Sequence, residues 1–245
     1  MTPISLIKSD QRIIVALDVE TAAEARSLIG ELKHEAPAYK IGLQLFTSAG
    51  PEFVREVASE NKVFLDLKFH DIPNTVAKAA VEATRLGVWM FNVHASGGGE
   101  MMRRTVGAVE SVCAKEDRNR PLVIGVTVLT SADTETLRET GIEREPEDQV
   151  LHLARLASEC GLDGIVASPL EVARTRREIE RPDFVIVTPG VRPDFATKDD
   201  QKRVMNPRRA VSEGSDYLVI GRPILQATDR AAALRRVYEE IGAAD

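Results

Sequence analysis

The sequence predicts an α/β protein built as a single (β/α)8 barrel of the TIM-barrel type, spanning residues 1–245. Eight short runs rich in β-branched residues recur along the chain, and segments with apolar residues at helical spacing separate them. A length of 245 residues also matches the usual size of such a barrel. Because nearly continuous apolar strands alternate with amphipathic helices, we expect a parallel sheet covered by helices.

The strand and helix signals follow each other in regular order. The eight predicted strands are Ile13–Leu17, Ala38–Ile41, Val63–Leu67, Trp89–Val93, Leu122–Val126, Gly164–Ala167, Phe184–Val187 and Tyr217–Ile220. Between them, apolar residues recur every three or four positions, as they do over residues 22–32, 76–86 and 150–157. Each strand is therefore followed by a predicted helix.

Two connections are longer than the usual loop between a strand and the next helix. Residues 131–147, after the fifth strand, hold eight charged residues and predict a solvated excursion with one short helix. Residues 189–204, after the seventh strand, form a long polar loop on the face where barrels keep their chemistry. We expect this second loop to act as a lid.

A doubly wound open sheet is the alternative fold. That fold normally carries a glycine-rich dinucleotide turn after its first strand. Here residues 18–21 read Asp-Val-Glu-Thr, and no GxGxxG motif occurs in the chain. Gly97–Gly99 opens a helix, but three glycines at this junction are more typical of a tight turn. The barrel remains the predicted fold.

Composition and charge exclude several classes of protein. The chain is 43% hydrophobic and 29% charged, with a net charge of −6 and no lysine or arginine block, so we expect no nucleic-acid partner. The longest stretch without a charged residue, Leu86–Gly99, contains Asn92 and His94 and is too short and polar to span a membrane. We therefore expect no membrane partner.

The two cysteines and the first residues bear on the compartment. Cys113 and Cys160 have no metal-ligand or redox-motif spacing, which is typical of reduced thiols. Lys8, Asp10 and Arg12 stand where a signal peptide would need an apolar run. These features predict a cytoplasmic protein.

Charged side chains stand at the ends of the first three strands, where barrel enzymes place their reacting groups. Because strand side chains alternate, Leu65 and Leu67 face the helices, and Asp66 and Lys68 face the barrel interior. Buried charges need partners. The nearest candidates are Lys40, at the end of the second strand, and Asp71.

Such a group of charges could be a structural ion-pair network or a catalytic one. Carboxylates beside a lysine favour its charged form, which can act as a general acid or as a fixed positive charge beside a developing anion. A magnesium site is the competing interpretation, since carboxylates at a barrel mouth can ligate Mg²⁺. Lys40 and Lys68 argue against it, because they place positive charge where the cation would lie. We expect no metal.

The loops after the seventh and eighth strands form the usual phosphate site of a barrel. They contain Gly190, Arg192, Gly221 and Arg222, and Pro223 stands as the expected first residue of a helix. Glycine allows close approach of the backbone, and arginine binds phosphate in a bidentate manner. Each loop could also be an ordinary turn with a surface arginine. Because both loops combine a glycine with an arginine, the sequence favours a phosphate site.

The histidines give a weaker signal. His94 follows the fourth strand and could serve as an acid or base, although a histidine hydrogen-bonded within the barrel wall is the more common outcome. The sequence suggests no partner for His34, His70 or His152.

The run Asp66–Thr75, DLKFHDIPNT, resembles the DxKxxDIPNT signature of the orotidine 5′-phosphate decarboxylase family. The resemblance extends along the chain. Further family motifs are matched at Leu17-Asp18, Tyr39–Gly42, Asn92–Ala95, Val128–Ser131, Thr188–Arg192 and Ile220–Pro223. The signature is specific, because related barrels share DxKxxD but do not usually carry the IPNT extension.

This resemblance implies decarboxylation of orotidine 5′-monophosphate to uridine 5′-monophosphate in de novo pyrimidine biosynthesis, without metal or cofactor. It implies that Lys68 protonates C6 of the pyrimidine and that Asp66 lies against the substrate carboxylate. The remaining implied roles are ribose binding by Asp18 and Lys40, pyrimidine binding by Thr130, and phosphate binding by Arg192, Gln201, Gly221 and Arg222. It also implies a homodimer in which Asp71 and Thr75 reach the partner's site.

Two other functions remain open at this point. Magnesium-dependent sugar-phosphate decarboxylases or aldolases of related barrels share the Asp66, Lys68 and Asp71 pattern, but they carry a metal-binding glutamate where this chain has Lys40. A non-catalytic sensor of a phosphorylated ligand would need the phosphate loops without the charge network. The charges at the strand ends therefore favour the first function over both.

Overall fold

The computed structural model of the chain describes residues 7–196 and 205–242. Its centre is a closed barrel of eight parallel strands in sequential order. The strands are β1 (Ile13–Ala16), β2 (Tyr39–Gly42), β3 (Val63–Phe69), β4 (Met90–His94), β5 (Leu122–Val126), β6 (Gly164–Val166), β7 (Val185–Pro189) and β8 (Tyr217–Ile220). The barrel closes where β1 pairs with β8, with Val15 opposite Ile220. The predicted fold is confirmed.

Helices cover the outside of the barrel. They are α1 (Ala22–Leu32), α2 (Leu43–Glu60), α3 (Pro73–Arg85), α4 (Gly99–Glu116), α5 (Thr134–Glu139), α6 (Pro146–Glu159), α7 (Val172–Glu178), α8 (Pro207–Ser212), α9 (Arg222–Leu225) and α10 (Arg230–Gly242). Thr21 begins α1 with a capping box to Glu24. No helix among residues 7–196 and 205–242 is long and apolar enough to cross a membrane.

The strands present two apolar faces. One fills the barrel interior with side chains that include Ile14, Phe64, Met90, Ile124 and Val187. The other packs against the helices and forms the larger core, to which Val15, Leu65 and Phe91 belong. Period-two alternation therefore decides which side chains of each strand can reach the interior and its two mouths.

The predicted strands match the observed ones with small shifts at their ends. The ends that move most are those of β3, which continues past Leu67 to Phe69 through an irregular register against β4, and of β7, which continues past Val187 to Pro189. The long connection at 131–147 contains one short helix, α5, as predicted. The second half of the expected lid at 189–204, residues 197–204, lies outside the described residues.

Candidate active site

The carboxyl-terminal mouth of the barrel holds a chain of four alternating charges. Lys40 Nζ lies 3.0 Å from an Asp18 carboxylate oxygen and 3.6 Å from Asp66 Oδ2. Lys68 Nζ donates a hydrogen bond of 2.7 Å to Asp66 Oδ1. Asp66 thus lies between two ammonium groups, and its two oxygens face different lysines.

Burial and charge act against each other on Asp66. Burial alone would raise the pKa of its carboxyl group, but the ammonium groups of Lys40 and Lys68, with hydrogen bonds from Lys68 and Asn92, outweigh burial and lower the pKa. Only 14% of the Asp66 side chain is exposed, against 30% for Lys68. The site therefore keeps a mostly buried carboxylate ionised beside a more exposed ammonium group.

The backbone of β3 changes at Lys68, which the sequence alternation did not predict. Lys68 has a φ of 52°, in the left-handed region that non-glycine residues rarely adopt. Leu65 pairs with Phe91 and Phe69 pairs with Val93, so β3 carries two extra residues between these pairs. The irregularity lets the side chain of Lys68 turn back onto Asp66.

Asp71 and Thr75 lie apart from these charges. Both are exposed, and no ion pair among the described residues includes Asp71. Its carboxylate instead accepts a 2.6 Å hydrogen bond from the backbone N–H of Ile72. The expectation that Asp71 pairs with the lysines of its own barrel is therefore wrong, because the chain turns outward after Phe69 toward α3.

The turn from β3 into α3 has the geometry that a proline at the start of a helix favours. Ile72 is extended, with ψ at 150°, and α3 begins at Pro73. The side chain of Ile72 is 66% exposed, unusual for a large apolar residue. Asp71 and Thr75 flank it at the outer edge of the mouth.

A cavity of about 240 Å³ opens beside the charged residues. Its wall includes all the described residues predicted to bind phosphate: Gly190, Arg192, Gly221 and Arg222. Thr130 and Asp18 also line it, and Asp18 lines a second cavity with Lys40, Asp66 and Lys68. Asp18 therefore joins the arginine-lined cavity to the charge network.

Two glycines shape this cavity. Gly190 has a φ of 76°, which a side chain would strain. A Cβ at Gly221 would lie 3.2 Å from Asp18 Oδ2, so glycine lets β8 end against the carboxylate. The helix after Gly221 is α9, which begins at Arg222, one residue before the predicted start at Pro223, and has four residues.

The loop that carries Arg192 is held at its base. The Arg192 N–H donates to the carbonyl of Met205 at 3.0 Å, which joins the two sides of the loop. On the outer side, Asp194 N–H donates to Glu240 at 3.2 Å, and Arg236 lies 4.1 Å above the ring of Phe195. Gln201, also predicted to bind phosphate, lies outside the described residues.

Two further side chains, His94 and Asn92, lie near the charged residues, and the sequence pattern assigned neither of them a firm role. His94 contacts His70 through tilted rings whose centroids are 5.3 Å apart. Burial, and to a smaller extent the charges of His70 and Lys68, lower the pKa of His94. Asn92 has only 1% exposure and contacts both Asp66 and Lys68. Alternation along β4 could have found Asn92, because it shares the interior face with Met90.

Metal ligation has little to support it in this geometry. Lys40 stands at the end of β2, where the related magnesium-dependent barrels have their glutamate, and its ammonium lies between two carboxylates. Within the described part of the chain, no three His, Cys, Asp or Glu side chains cluster in a way that could hold a metal ion.

Comparison with known proteins gives one consistent result. A sequence model of the "Orotidine 5'-phosphate decarboxylase / HUMPS family" matches residues 11–237. The orotidine 5′-phosphate decarboxylase of Syntrophotalea carbinolica is 52% identical over 98% of both chains. That of Moorella thermoacetica is 54% identical over 94% of this chain and 92% of its own.

Solved structures agree with the sequence comparison. The crystal structure of orotidine 5′-phosphate decarboxylase from Lactobacillus acidophilus has a TM-score of 0.83 and 34% sequence identity, covering 95% of this chain and 99% of that one. Together with the family match over residues 11–237, this likeness covers the barrel and both cavities. The chain therefore belongs to the orotidine 5′-phosphate decarboxylase / HUMPS family and is an enzyme of that family.

Proposed function

We propose that this enzyme converts orotidine 5′-monophosphate to uridine 5′-monophosphate and CO₂ in de novo pyrimidine biosynthesis. One observation carries the proposal: a mostly buried carboxylate, Asp66, held between the ammonium groups of Lys40 and Lys68 beside an arginine-lined cavity. The relatives that are about half identical over nearly the whole chain carry the corresponding name, which supports the same reaction here.

The main requirement of the reaction is a positive charge beside C6 that stabilises the negative charge formed there. When the bond between C6 and the carboxylate breaks, the electron pair stays on C6, and no electron sink lies nearby in the ring. The ammonium of Lys68 can stabilise this carbanion electrostatically and then transfer a proton to C6. The product leaves with a new C6–H bond, and the lysine regains its proton from solvent.

The neighbouring charges hold Lys68 ready for this step. Its bond to Asp66 fixes the ammonium before substrate binds, so little reorganisation is needed as negative charge develops. We assign the place beside Asp66 to the substrate carboxylate, so that one negative charge faces another until CO₂ leaves. Lys40 offsets the charge of Asp66 from the other side.

The arginine-lined cavity suits the 5′-phosphate. Arg192 and Arg222 supply guanidinium groups, and Gly190 and Gly221 bring backbone close to the ligand. We assign Gln201 to the same phosphate. The ribose hydroxyls then fall to Asp18 and Lys40, since Asp18 borders both cavities.

Thr130 is assigned to the pyrimidine. It lines the arginine-lined cavity with Asp18, rather than the cavity that contains Lys68. The assignment to the base therefore rests on the resemblance of Val128–Ser131 to the family motif.

We also propose a cytoplasmic homodimer whose sites are completed across the interface. Asp71 and Thr75 are exposed beside Ile72, and an apolar side chain with 66% exposure suits a subunit contact. A two-fold axis near this edge would carry Asp71 and Thr75 into the partner's mouth.

The experiment that tests the reaction follows the loss of absorbance of orotidine 5′-monophosphate with purified enzyme, with and without EDTA. We expect equal rates, because Lys40 and Lys68 occupy the place of a cation. Activity lost in EDTA and restored by Mg²⁺ would replace this mechanism with a metal-dependent one. Absence of CO₂ release in both conditions would overturn the proposed reaction.

A further inference from the structure

We propose that Asn92 is a positioning residue that fixes the Asp66–Lys68 pair in its reactive geometry. The inference rests on the proposed decarboxylation and adds a residue to its machinery. Asn92 lies in β4 on the interior face of the barrel, with 1% exposure. Its amide group is the group that joins the two charged residues from the neighbouring strand.

Each half of the amide serves one of the two residues. The Asn92 Oδ1 accepts a hydrogen bond of 2.8 Å from the backbone N–H of Lys68. Its Nδ2 donates one of 2.7 Å to Asp66 Oδ1. A backbone N–H requires an acceptor and a carboxylate requires a donor, so these partners determine which way the amide points.

The Asn92 amide supplies a hydrogen bond where the pairing between β3 and β4 is interrupted. Between the pairs Leu65–Phe91 and Phe69–Val93, the ladder from β3 to β4 is interrupted. The Lys68 N–H would lose its strand partner there, and a donor that is shielded from water and left without an acceptor is destabilising. The side chain of Asn92 satisfies this N–H, and it thereby holds Lys68 at its left-handed φ of 52°.

The same amide also shares an acceptor with the reacting ammonium. Asp66 Oδ1 accepts from Asn92 Nδ2 and from Lys68 Nζ, both at 2.7 Å. With one donor fixed by strand β4, the carboxylate cannot rotate without losing a bond. Lys68 is therefore held at two points: its backbone N–H is bound by Asn92, and its ammonium group is bound by Asp66.

The test compares Asn92→Ala with Asn92→Asp. Alanine removes both bonds, and we expect kcat for orotidine 5′-monophosphate to fall about 10- to 100-fold because misplaced reacting groups cost rate. The dissociation constant and stoichiometry of uridine 5′-monophosphate, measured by calorimetry, should stay within about threefold of wild type, since the arginine-lined cavity is untouched. Thr105→Ala, which removes a buried hydroxyl bonded within α4, is the matched control with unchanged kcat.

The aspartate variant separates positioning from general stability. It retains an acceptor for the Lys68 N–H, but it loses the donor to Asp66 and places a second carboxylate against it. We expect the acid limb of its kcat–pH profile to move up by about one unit or more relative to wild type. The alanine variant has no added charge and should show a low kcat without that shift.

The outcomes separate this inference from the function on which it rests. An active wild type with Asn92→Ala within threefold of its kcat overturns the positioning role alone. Parallel losses in both variants with unshifted pH profiles and reduced binding stoichiometry also overturn it, because they indicate loss of folded protein. A wild type that does not release CO₂ overturns the proposed decarboxylation, and this inference with it.

Discussion

The two mouths of the barrel both bury carboxylates beside cations, but they hold them in different ways. At the amino-terminal mouth, Asp163 accepts from the Arg120 guanidinium at 2.8 Å and from the N–H of Val123 at 2.7 Å. Asp216 repeats the arrangement with Arg176 at 2.5 Å and the N–H of Ile186 at 2.7 Å. Each carboxylate there is clamped between an arginine and the backbone of the preceding strand.

The carboxyl-terminal mouth uses lysines and leaves space beside them. Asp66 is shared by two ammonium groups, and cavities border Asp18, Lys40 and Lys68. Arginine forms a rigid bidentate clamp, whereas lysine is a compact charge on a flexible stem that can give up a proton. We therefore expect the amino-terminal mouth to serve the structure of the barrel, and we propose that the carboxyl-terminal mouth carries the chemistry.

Removing Lys68 should give the largest effect on activity. In Lys68→Ala, both the positive charge and the proton donor are lost, so we expect kcat to fall by about a thousandfold or more. The rate of orotidine 5′-monophosphate loss measures this, and unchanged circular dichroism establishes that the fold remains. Substantial turnover in this variant would mean that another group protonates C6.

Arg120→Ala is the matched variant at the opposite mouth. It leaves Asp163 buried with the Val123 N–H but without its guanidinium, so we expect a loss of about 1–3 kcal/mol in the free energy of unfolding and an unchanged kcat. Denaturant unfolding measures the former. A kcat reduced as far as in Lys68→Ala would contradict the division between the mouths.

The second prediction is that only the carboxyl-terminal mouth depends on a second copy of the chain. Lys68→Ala and Asp71→Ala should each be nearly inactive. When the two are mixed so that subunits exchange, half of the dimers are mixed, and each holds one intact site. An equal mixture should therefore regain about a quarter of wild-type activity. If exchange is demonstrated and activity does not rise, Asp71 acts within its own subunit.

The third prediction concerns how the phosphate-binding residues of the carboxyl-terminal mouth contribute to catalysis. Remote binding energy can organise the reacting centre, so a phosphate ligand should support catalysis as well as affinity. Arg222→Ala should lower kcat/KM for the nucleotide by about 100-fold, and far more than for the phosphate-free nucleoside. Steady-state kinetics with both substrates tests this. Equal losses on the two would remove Arg222 from the phosphate site.

The smallest effect distinguishes the two mouths by titration. Asp216 should titrate above the usual aspartate value of 3.8, because burial raises its pKa more than Arg176 lowers it. Asp66 should titrate below 3.8, because two lysines and Asn92 outweigh its burial. Carboxyl ¹³C shifts, assigned with Asp66→Asn and Asp216→Asn, measure both. A pKa of Asp66 above that of Asp216 would contradict the proposed electrostatic difference between the two mouths.

These pKa directions have opposite consequences for stability. The lowered pKa of Asp66 stabilises the native state above the unfolded-state pKa, and this contribution is lost as pH falls through the folded-state pKa. The raised pKa of Asp216 means that its ionisation disfavours the native state at neutral pH, and this penalty is relieved on acidification. Asp66 is therefore the acid-sensitive carboxylate of the pair.

The residue pattern of the chain was enough to predict the barrel and most of the described residues of the candidate site. Apolar runs and helical spacing depend on local chain geometry, so the eight strands could be read directly. Because parallel strands end at one mouth, Asp18, Lys40, Asp66 and Lys68 could be placed together before any distance was known.

The way in which those residues contact one another depends on pairing between distant segments. The left-handed φ of Lys68 and the interrupted ladder beside Asn92 follow from pairing between strands β3 and β4, 24 residues apart in sequence. The exposure of Asp71 likewise follows from the direction in which the chain leaves β3. Such contacts depend on how distant segments pack and on irregularities in their register, and the local pattern of one segment does not determine either.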